Sequence, residues 1–152
     1  MKVDKKIIIG CDHAGYNMKK YLISELTKQG YDIDDVGTNS TDSVNFADFA
    51  KAVAEKVSCT PEAKGILICG TGIGMCIMAN KVKDVRAALV HDLFSAKATR
   101  EHNNSNVLCM GARIISESMA LEIAKVWLQT KFLGEKYAKR LEVISSYENS
   151  RA

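Results

Sequence analysis

Three short, uninterrupted apolar runs constrain the fold of this chain more than any other feature of its sequence. They lie at 6–11 (KIIIGC), 65–69 (GILIC) and 87–90 (AALV). A strand that is apolar at every position, rather than at alternate positions, is typical of a parallel sheet whose two faces are both covered. The three runs therefore predict a buried parallel sheet.

Two further strands and three helices extend this pattern. The run at 107–110 (VLCM) resembles the first three, whereas 31–36 (YDIDDV) alternates and is typical of a strand nearer a sheet edge. Apolar residues recur at helical spacing in 18–26, 46–57 and 120–128. Strands that alternate with helices through short joints indicate right-handed crossovers, so the predicted class is α/β, with helices on both faces of a five-stranded parallel sheet.

An extra C-terminal helix is predicted at about 137–148, after the fifth strand and its helix. Its apolar Leu141 and Ile144 need a surface to cover. That surface belongs either to a partner subunit or to the helix's own domain, and the sequence leaves both alternatives open.

The composition indicates one soluble domain over residues 1–152. Of these residues 47% are hydrophobic and 26% are charged, and the only proline, Pro61, lies in a polar loop at 58–64. The 21 Lys and Arg against 18 Asp and Glu form no basic run, which disfavours nucleic acid and membranes as partners and leaves a small anion. Five cysteines without a Cys-x-x-Cys pair, and a charged N-terminus without a signal-peptide pattern, predict a cytoplasmic protein without disulfides or zinc.

Two strand ends are the predicted place for a ligand, because ligands of open α/β sheets bind beyond the carboxyl ends of the strands. The first strand continues into 10–15 (GCDHAG), and the strand at 65–69 continues into CGTGIG at 69–74. Glycines at alternate positions let backbone amides approach an anionic oxygen at a helix start. We therefore expect an anion cradle at Gly70, Gly72 and Gly74.

A nucleotide site is the alternative use of this cradle. The segment departs from the G-x-G-x-x-G dinucleotide pattern because Met75 stands where the third glycine belongs, and it lacks the Lys-Ser or Lys-Thr of a P-loop. Asp92, after the next strand, nevertheless stands about where a ribose-binding acid would fall.

Cys69 is the candidate nucleophile or base. A free cysteine is usually a small core residue, and we expect that role for some of the other cysteines, which are Cys11, Cys59, Cys76 and Cys109. Cys69 differs because it ends a strand directly before the glycine cradle, where the positive end of a helix dipole stabilises a thiolate.

Further candidate groups are polar residues that also have ordinary explanations. Asp12 suits a helix N-cap, and His13 suits an exposed loop. His102, in the polar segment 100–104, suits a general acid or base, and we expect the fold to bring it to the same sheet edge as His13. The cations Arg113, Lys136 and Arg140 suit either solvated surface charges or a phosphate clamp, and the last two share a helical face if the last helix starts early enough.

Except for Lys136 and Arg140, these candidate residues fall within six motifs that resemble those of one family in order and sequence. The motifs are 10–15 (GCDHAG), 35–38 (DVGT), 68–74 (ICGTGIG), 79–81 (ANK), 100–104 (REHNN) and 111–113 (GAR). The sequence resembles the ribose-5-phosphate isomerase B family, whose relatives isomerise galactose 6-phosphate and allose 6-phosphate. The resemblance extends from the first strand to the last helix.

The resemblance implies an architecture and a set of partners. It implies a flavodoxin-like, Rossmann-like sheet, no cofactor and no metal, and a phosphorylated sugar as the small-molecule partner. It also implies a homodimer whose active sites draw residues from both chains, with the pairing of dimers into tetramers left open.

The resemblance also implies residue roles. Cys69 is the expected base that moves a proton between C1 and C2, and His102 the expected acid that opens the sugar ring. Asp12 is an expected substrate contact, and in the mechanism that we infer from these roles it takes up the other proton of ring opening, while Thr71, also an expected substrate contact, caps a helix or assists at the substrate oxygens. The remaining expected substrate contacts are His13, Gly70, Gly72, Ile73, Gly74, Asn103, Arg113, Lys136 and Arg140.

Two positions depart from the family pattern. The family usually has Asp-Tyr-Pro-x-Tyr-Ala where this chain has NFADFA at 45–50, so Phe46 brings no hydroxyl to the sugar. Lys136 replaces an arginine, giving a point charge instead of a planar fork. The predicted function is interconversion of ribose 5-phosphate and ribulose 5-phosphate. The alternatives are isomerisation of a phosphorylated hexose, namely allose 6-phosphate or galactose 6-phosphate, and a non-catalytic flavodoxin-like module that binds a nucleotide or phosphate.

Overall fold

A computed structural model describes residues 5–151 and has the predicted α/β architecture. The strands are β1 (Lys6–Cys11), β2 (Asp32–Asp35), β3 (Lys64–Cys69), β4 (Ala87–Leu89) and β5 (Val107–Gly111). The helices are α1 (Tyr16–Lys28), α2 (Phe46–Cys59), α3 (Ile73–Ala79), α4 (Leu93–Asn103), α5 (Glu117–Gln129) and α6 (Lys136–Asn149). A single 3-10 turn, His13–Gly15, joins β1 to α1. Each predicted strand and helix is present, with ends that shift by a few residues.

All five strands are parallel, and their order across the sheet is β2-β1-β3-β5-β4. The last two strands are thus exchanged relative to the usual flavodoxin order. This exchange puts β5 in the middle of the sheet, beside β3, and leaves the short strand β4 at an edge. The loop that follows β5 consequently lies next to the loop that follows β3.

Alternate residues of the central strands enter two separate cores. Ile7 and Ile9 face α1 and α5 in a core that includes Trp127, whereas Ile8 faces α2 and α3. This is the arrangement that continuous apolar strands require, since successive side chains of a strand point to opposite faces. Packing against helices on both faces holds the strands in place relative to one another, and it therefore also fixes the relative positions of the strand ends, where candidate residues lie.

Helix α6 lies against α4 but contributes no fully buried residue. Leu141 is half-buried and Ile144 is exposed, so most of the apolar surface of this helix remains uncovered by its own chain. None of the helices between residues 5 and 151 is long and apolar enough to cross a lipid bilayer.

Candidate active site

The ends of β1, β3 and β5 meet at the carboxyl edge of the sheet. The amide of Asp12 donates to the carbonyl of Ile68 at 3.1 Å, and a Cβ built on Gly15 would lie 2.6 Å from that same oxygen. Only glycine therefore lets the first loop approach β3 so closely. The contact brings Asp12 and His13 beside the glycine cradle.

Asp12 and His13 are both oriented by backbone amides. Asp12 is only 8% exposed, and its Oδ1 accepts from the amides of Ala14 at 2.9 Å and Gly15 at 3.3 Å. The capping role that the sequence suggested is thus real, and it fixes the direction of the carboxylate. His13 Nδ1 accepts from the amide of Val44 at 3.2 Å, which assigns the ring proton to Nε2 and makes that atom a donor for an anion.

Cys69 ends β3 with its sulfur held by the cradle. The side chain is 6% exposed, and the amide of Gly72 donates to Sγ at 3.1 Å. Gly72 adopts a left-handed φ of 79°, and a Cβ there would lie 2.8 Å from the main chain of Met110. The Gly72 amide thus fixes the position of the Cys69 sulfur at the start of the cradle.

The rest of the cradle is bordered by a cation, a hydroxyl and an aromatic ring. The Arg113 guanidinium lies over Gly70, 3.2 Å from where a Cβ would stand, because Arg113 follows β5 and its amide donates to the carbonyl of Gly70. Thr71 Oγ1 accepts from the amide of Ile73 at 3.3 Å, a capping contact at the start of α3. The Phe46 ring packs against Gly74, so the residue that departs from the family pattern borders the cradle.

A second group of candidate residues is gathered around Tyr137, at the start of α6. The His102 ring stacks on Tyr137 with centroids 4.5 Å apart. Lys136 Nζ and Arg140 Cζ lie 5.2 and 5.4 Å from the centroid of the same ring. Helix α6 begins at Lys136, so the two cations do share one helical face, and Asn103 is exposed beside them at the end of α4.

The first group lies at the carboxyl ends of the strands, and the second group lies at their amino ends. The prediction that His102 reaches the same edge of the sheet as His13 is therefore wrong within one chain. A crossover helix runs antiparallel to the strands, and α4 therefore starts at the carboxyl edge and ends at the amino edge. Arg86, which precedes β4, donates to the carbonyl of Asn103 at 3.0 Å and fixes that placement. A cavity of about 490 Å³ at the amino edge is lined by Arg86 and Asn104, away from Cys69.

The comparison with known proteins decides the family. Residues 7–144 match the family model described as Ribose/Galactose Isomerase. The chain belongs to the ribose/galactose isomerase family. It is 50% identical over 147 residues to YwlF of Bacillus subtilis, which is provisionally named a sugar phosphate isomerase, with 94% of this chain and 97% of that protein covered.

Solved structures of similar proteins agree with this assignment. Ribose-5-phosphate isomerase B of Clostridium thermocellum superposes with a TM-score of 0.94 at 42% identity, covering 97% of this chain and 99% of that one. The enzyme of the same name from Mycoplasma genitalium, solved with bound ribulose-5-phosphate, gives 0.92 at 38% identity over 95% and 96% of the two chains.

The other cysteines of this ribose/galactose isomerase have different surroundings. Burial raises the pKa of Cys11 to about 11, and a hydrogen bond with Cys76, together with burial, raises that of Cys109 well above its ordinary value. The partner Cys76 has a pKa lowered to about 7 by the hydrogen bond with Cys109, with a smaller effect from Asn80. Cys59 is exposed. Only Cys69 combines a strand end with the glycine cradle.

The acid of the nucleotide alternative has another role in this isomerase. The Asp92 carboxylate caps α4, accepting from the Ser95 amide at 2.6 Å and the Ser95 hydroxyl at 3.0 Å. Those bonds lower the pKa of Asp92. Within residues 5–151, no three His, Cys, Asp or Glu side chains come together in a way that suits a metal ion.

Sequence reasoning missed three residues that shape the site. Tyr137, between two cations, is the ring on which His102 stacks. Lys19 is 1% exposed, and its Nζ donates to Asp35 Oδ1 at 2.7 Å and to the Thr38 carbonyl at 2.5 Å. Arg86 binds the loop after His102. The four-residue spacing of Lys136 and Arg140 around Tyr137 was the only available signal for any of them.

Proposed function

We propose that this protein is a cofactor-independent aldose-ketose isomerase that interconverts ribose 5-phosphate and ribulose 5-phosphate. The observation that carries the proposal is Cys69, which meets the Gly72 amide at the mouth of the glycine cradle beside Asp12. The names of the two similar structures support the pentose phosphate as substrate. A module that only binds phosphate would need the cradle but would have no use for a polarised thiol.

Ring opening is the first step, because the carbonyl of an aldose phosphate is masked in its cyclic form. His102 gives a proton to the ring oxygen, and the Asp12 carboxylate takes the proton of the anomeric hydroxyl. Asp12 suits this role because two amides fix its Oδ1 and hold the carboxylate in one direction.

Proton transfer between C1 and C2 follows on the open chain. The Cys69 thiolate removes the C2 proton, the electron pair of that bond forms the C1–C2 double bond, and the aldehyde oxygen becomes an enediolate oxygen. The backbone amides after Gly70 hold this oxygen, and each such donor contributes about a hundredfold to a thousandfold in rate. The proton of the C2 hydroxyl then passes to the C1 oxygen, the electron pair of the C1–C2 double bond takes the proton of the thiol at C1, and the oxygen at C2 becomes the ketone while the thiolate is regenerated. Thr71 keeps its capping contact with Ile73 throughout.

The phosphate is held at a distance from the reacting carbons. His13, through Nε2–H, and Arg113, over Gly70, supply donors at the carboxyl edge. Lys136 and Arg140 supply two more positive charges beside Tyr137. Binding energy from the phosphate thereby keeps C2 over the sulfur, which turns binding into orientation.

We propose further that each active site is shared between two copies of the chain. His102, Asn103, Lys136 and Arg140 cannot reach Cys69 in one chain, because they lie at the other edge of the sheet. An exposed apolar patch beside the cradle offers a surface for the second copy, and its members are Ile73, Ile77, Leu89, Leu93 and Phe94. In a twofold dimer the same patch serves both chains and completes both sites.

A phosphorylated hexose is the second candidate substrate, and Phe46 is the observation that favours it. Its ring borders Gly74 without a hydroxyl, so the sugar meets an apolar wall there and not a hydrogen-bond partner. The family description, which includes galactose, is consistent with such a substrate.

A coupled assay with ribose 5-phosphate, allose 6-phosphate and galactose 6-phosphate tests the proposed function. We expect the highest kcat/KM with ribose 5-phosphate and a loss of at least about a thousandfold in Cys69→Ser, whose alcohol is a poor base. Cys59→Ser, at an exposed cysteine, is the matched control and should keep full activity. A higher kcat/KM with a hexose phosphate would show that the substrate is this hexose phosphate and not ribose 5-phosphate. Turnover of a folded Cys69→Ser protein within a few-fold of the parent would remove Cys69 from the mechanism.

A further inference from the structure

The side chain of Arg86, which directly precedes β4, binds the end of the segment that carries His102 and Asn103. Helix α4 ends at Asn103, and its C-cap, Asn104, has a left-handed φ of 47°. Arg86 Nε donates to the carbonyls of Asn103 at 3.0 Å and Asn104 at 3.2 Å, and its Nη2 donates to Asn104 at 3.0 Å. The planar guanidinium thus spans two consecutive carbonyls, which a point charge cannot do in the same way.

The main chain of Arg86 is fastened to the same loop. Its amide donates to Asn106 Oδ1 at 2.7 Å, and its carbonyl accepts from the Asn106 amide at 3.0 Å. Asn106 Nδ2 also donates to the carbonyl of Asp84 at 2.9 Å. Because the base of the Arg86 side chain is fixed in this way, the position of its guanidinium sets the position of the carbonyls that follow His102.

A second arginine, Arg100, lies close to Arg86 but has a different role, because its main contacts anchor α4 to the core. Arg100, 7% exposed, donates to the carbonyls of Ser105 and Thr130, and it meets Asn104 only through the side-chain Oδ1 of that residue, at 2.9 Å. It thereby ties α4 to the core around Trp127, whose Nε1 donates to Ser105 Oγ. Arg86 is only half-buried and binds the carbonyls of the two residues that follow His102, Asn103 and Asn104. Positive charge there also faces the negative end of the α4 dipole.

The charges around this pair are balanced by carbonyl oxygens and two carboxylates. Burial lowers the pKa of both arginines, and the charge of Arg86 lowers that of Arg100 further. Asp84 and Glu148 oppose the shift at Arg86. Both guanidiniums remain protonated, as arginines in proteins do, so the positive charge persists at the helix end.

We propose that Arg86 is a positioning residue that fixes His102 and Asn103 for the active site of a second copy of the chain. The inference rests on the proposed function, in which His102 opens the sugar ring in a shared site. Arg86 does not touch the substrate in this arrangement. It acts through the carbonyls of Asn103 and Asn104, while Tyr137 supports the imidazole from the other side.

Three single variants define the expected effect. Arg86→Met keeps a long side chain but removes the donors, and we expect kcat with ribose 5-phosphate to fall about tenfold to a hundredfold, the range for a small misplacement of a catalytic group. Arg86→Lys restores one donor and the charge and should recover part of the loss. Lys83→Met, which removes an exposed cation three residues away, should leave kcat unchanged.

Mixed dimers test the proposal against a general loss of structure. Differently tagged chains are co-expressed and the mixed dimers isolated by two affinity steps, with Cys69→Ser plus His102→Asn as the reference pair. A dimer of Cys69→Ser with Arg86→Met should have one intact site of two and about half the wild-type activity. A dimer of His102→Asn with Arg86→Met should stay near the level of its parents, because both changes affect the same half of each site.

The outcomes separate the proposals. Absence of recovery in the Cys69→Ser with Arg86→Met dimer, despite recovery in the reference pair, would overturn the role of Arg86 alone. Absence of recovery in the reference pair would overturn the shared site and this proposal with it, and inactive wild type would overturn the proposed function. If circular dichroism shows that Arg86→Met is unfolded, Arg86→Lys takes its place, and failure of both variants to fold would make Arg86 a structural residue and end the proposal.

Discussion

Four of the five cysteines, Cys11, Cys69, Cys76 and Cys109, lie in or against the core. Burial therefore does not distinguish Cys69 from the others, and what distinguishes it is the glycine loop that follows it. Its place at a strand end before alternate glycines was readable from the sequence. The Gly72 amide on its sulfur was not, because that contact depends on a left-handed φ at Gly72. His91 was missed altogether at this scale. It has no motif around it, and its role as acceptor for the Gly111 amide at 2.9 Å arises only when β4 and β5 pair.

Stability at acid pH should depend on His91. Burial lowers the pKa of His91, with Asp92 opposing, so the folded protein binds this proton less readily than the unfolded chain does. The contribution of neutral His91 to stability is therefore fully present above the ordinary histidine pKa of about 6.5. It is lost as the pH falls through that value toward the lower pKa that His91 has in the folded protein. We expect the urea midpoint of the wild type to fall in this window and that of His91→Gln, which keeps an acceptor, to fall less. Parallel pH profiles of the two proteins would contradict this assignment.

At the scale of elements, α1 is tied to the loop after β2 by one buried lysine. Lys19 binds Asp35 and the Thr38 carbonyl, and this loop in turn pairs with β1, since the Cys11 amide donates to Gly37 and the Thr38 amide donates back to Cys11. The residue next to Cys11 is Asp12. The helical period of α1 predicted which face is buried but gave no reason for a lysine on it, because the partner lies sixteen residues away.

Removal of the Lys19 ammonium should therefore destabilise the fold. Lys19→Met leaves Asp35 and the Thr38 carbonyl without their buried donor, and we expect a loss of about 2–4 kcal/mol in the free energy of unfolding, less than for a fully buried pair because Asp35 is partly exposed. Lys20→Met, at the exposed neighbour, should change it by less than about 0.5 kcal/mol. Urea unfolding measures both. Equal effects in the two variants would mean that the pair contributes nothing specific.

At the scale of the whole molecule, the fold class was predictable and the placement of the second half of the site was not predicted. Continuous apolar strands and helical spacing gave the class because they reflect burial on both faces. The strand order depends on which connections pass over the place of a neighbouring strand, as the one from β3 to β4 does here, and the spacing of apolar residues contains no information about this. The error over His102 was avoidable in principle, since the end of a crossover helix lies at the amino edge of a parallel sheet. In the shared site that we propose, activity depends on the association of two chains.

The apolar patch beside the cradle should hold the two chains together, and Phe94, 82% exposed at the start of α4, is the residue to change. Phe94→Asp puts a charge into an apolar interface twice in a symmetric dimer, which should weaken association by at least about a hundredfold. We expect sedimentation velocity to show monomers that keep the wild-type circular dichroism and lose activity, and activity per chain should return as concentration rises. Met119→Asp, on the exposed side of α5, is the control that should remain associated and active. A monomeric Phe94→Asp protein with full activity would refute the shared site, because a single chain would then contain both Cys69 and the acid that opens the sugar ring. A Phe94→Asp protein that remains a dimer would instead place the interface elsewhere on the surface.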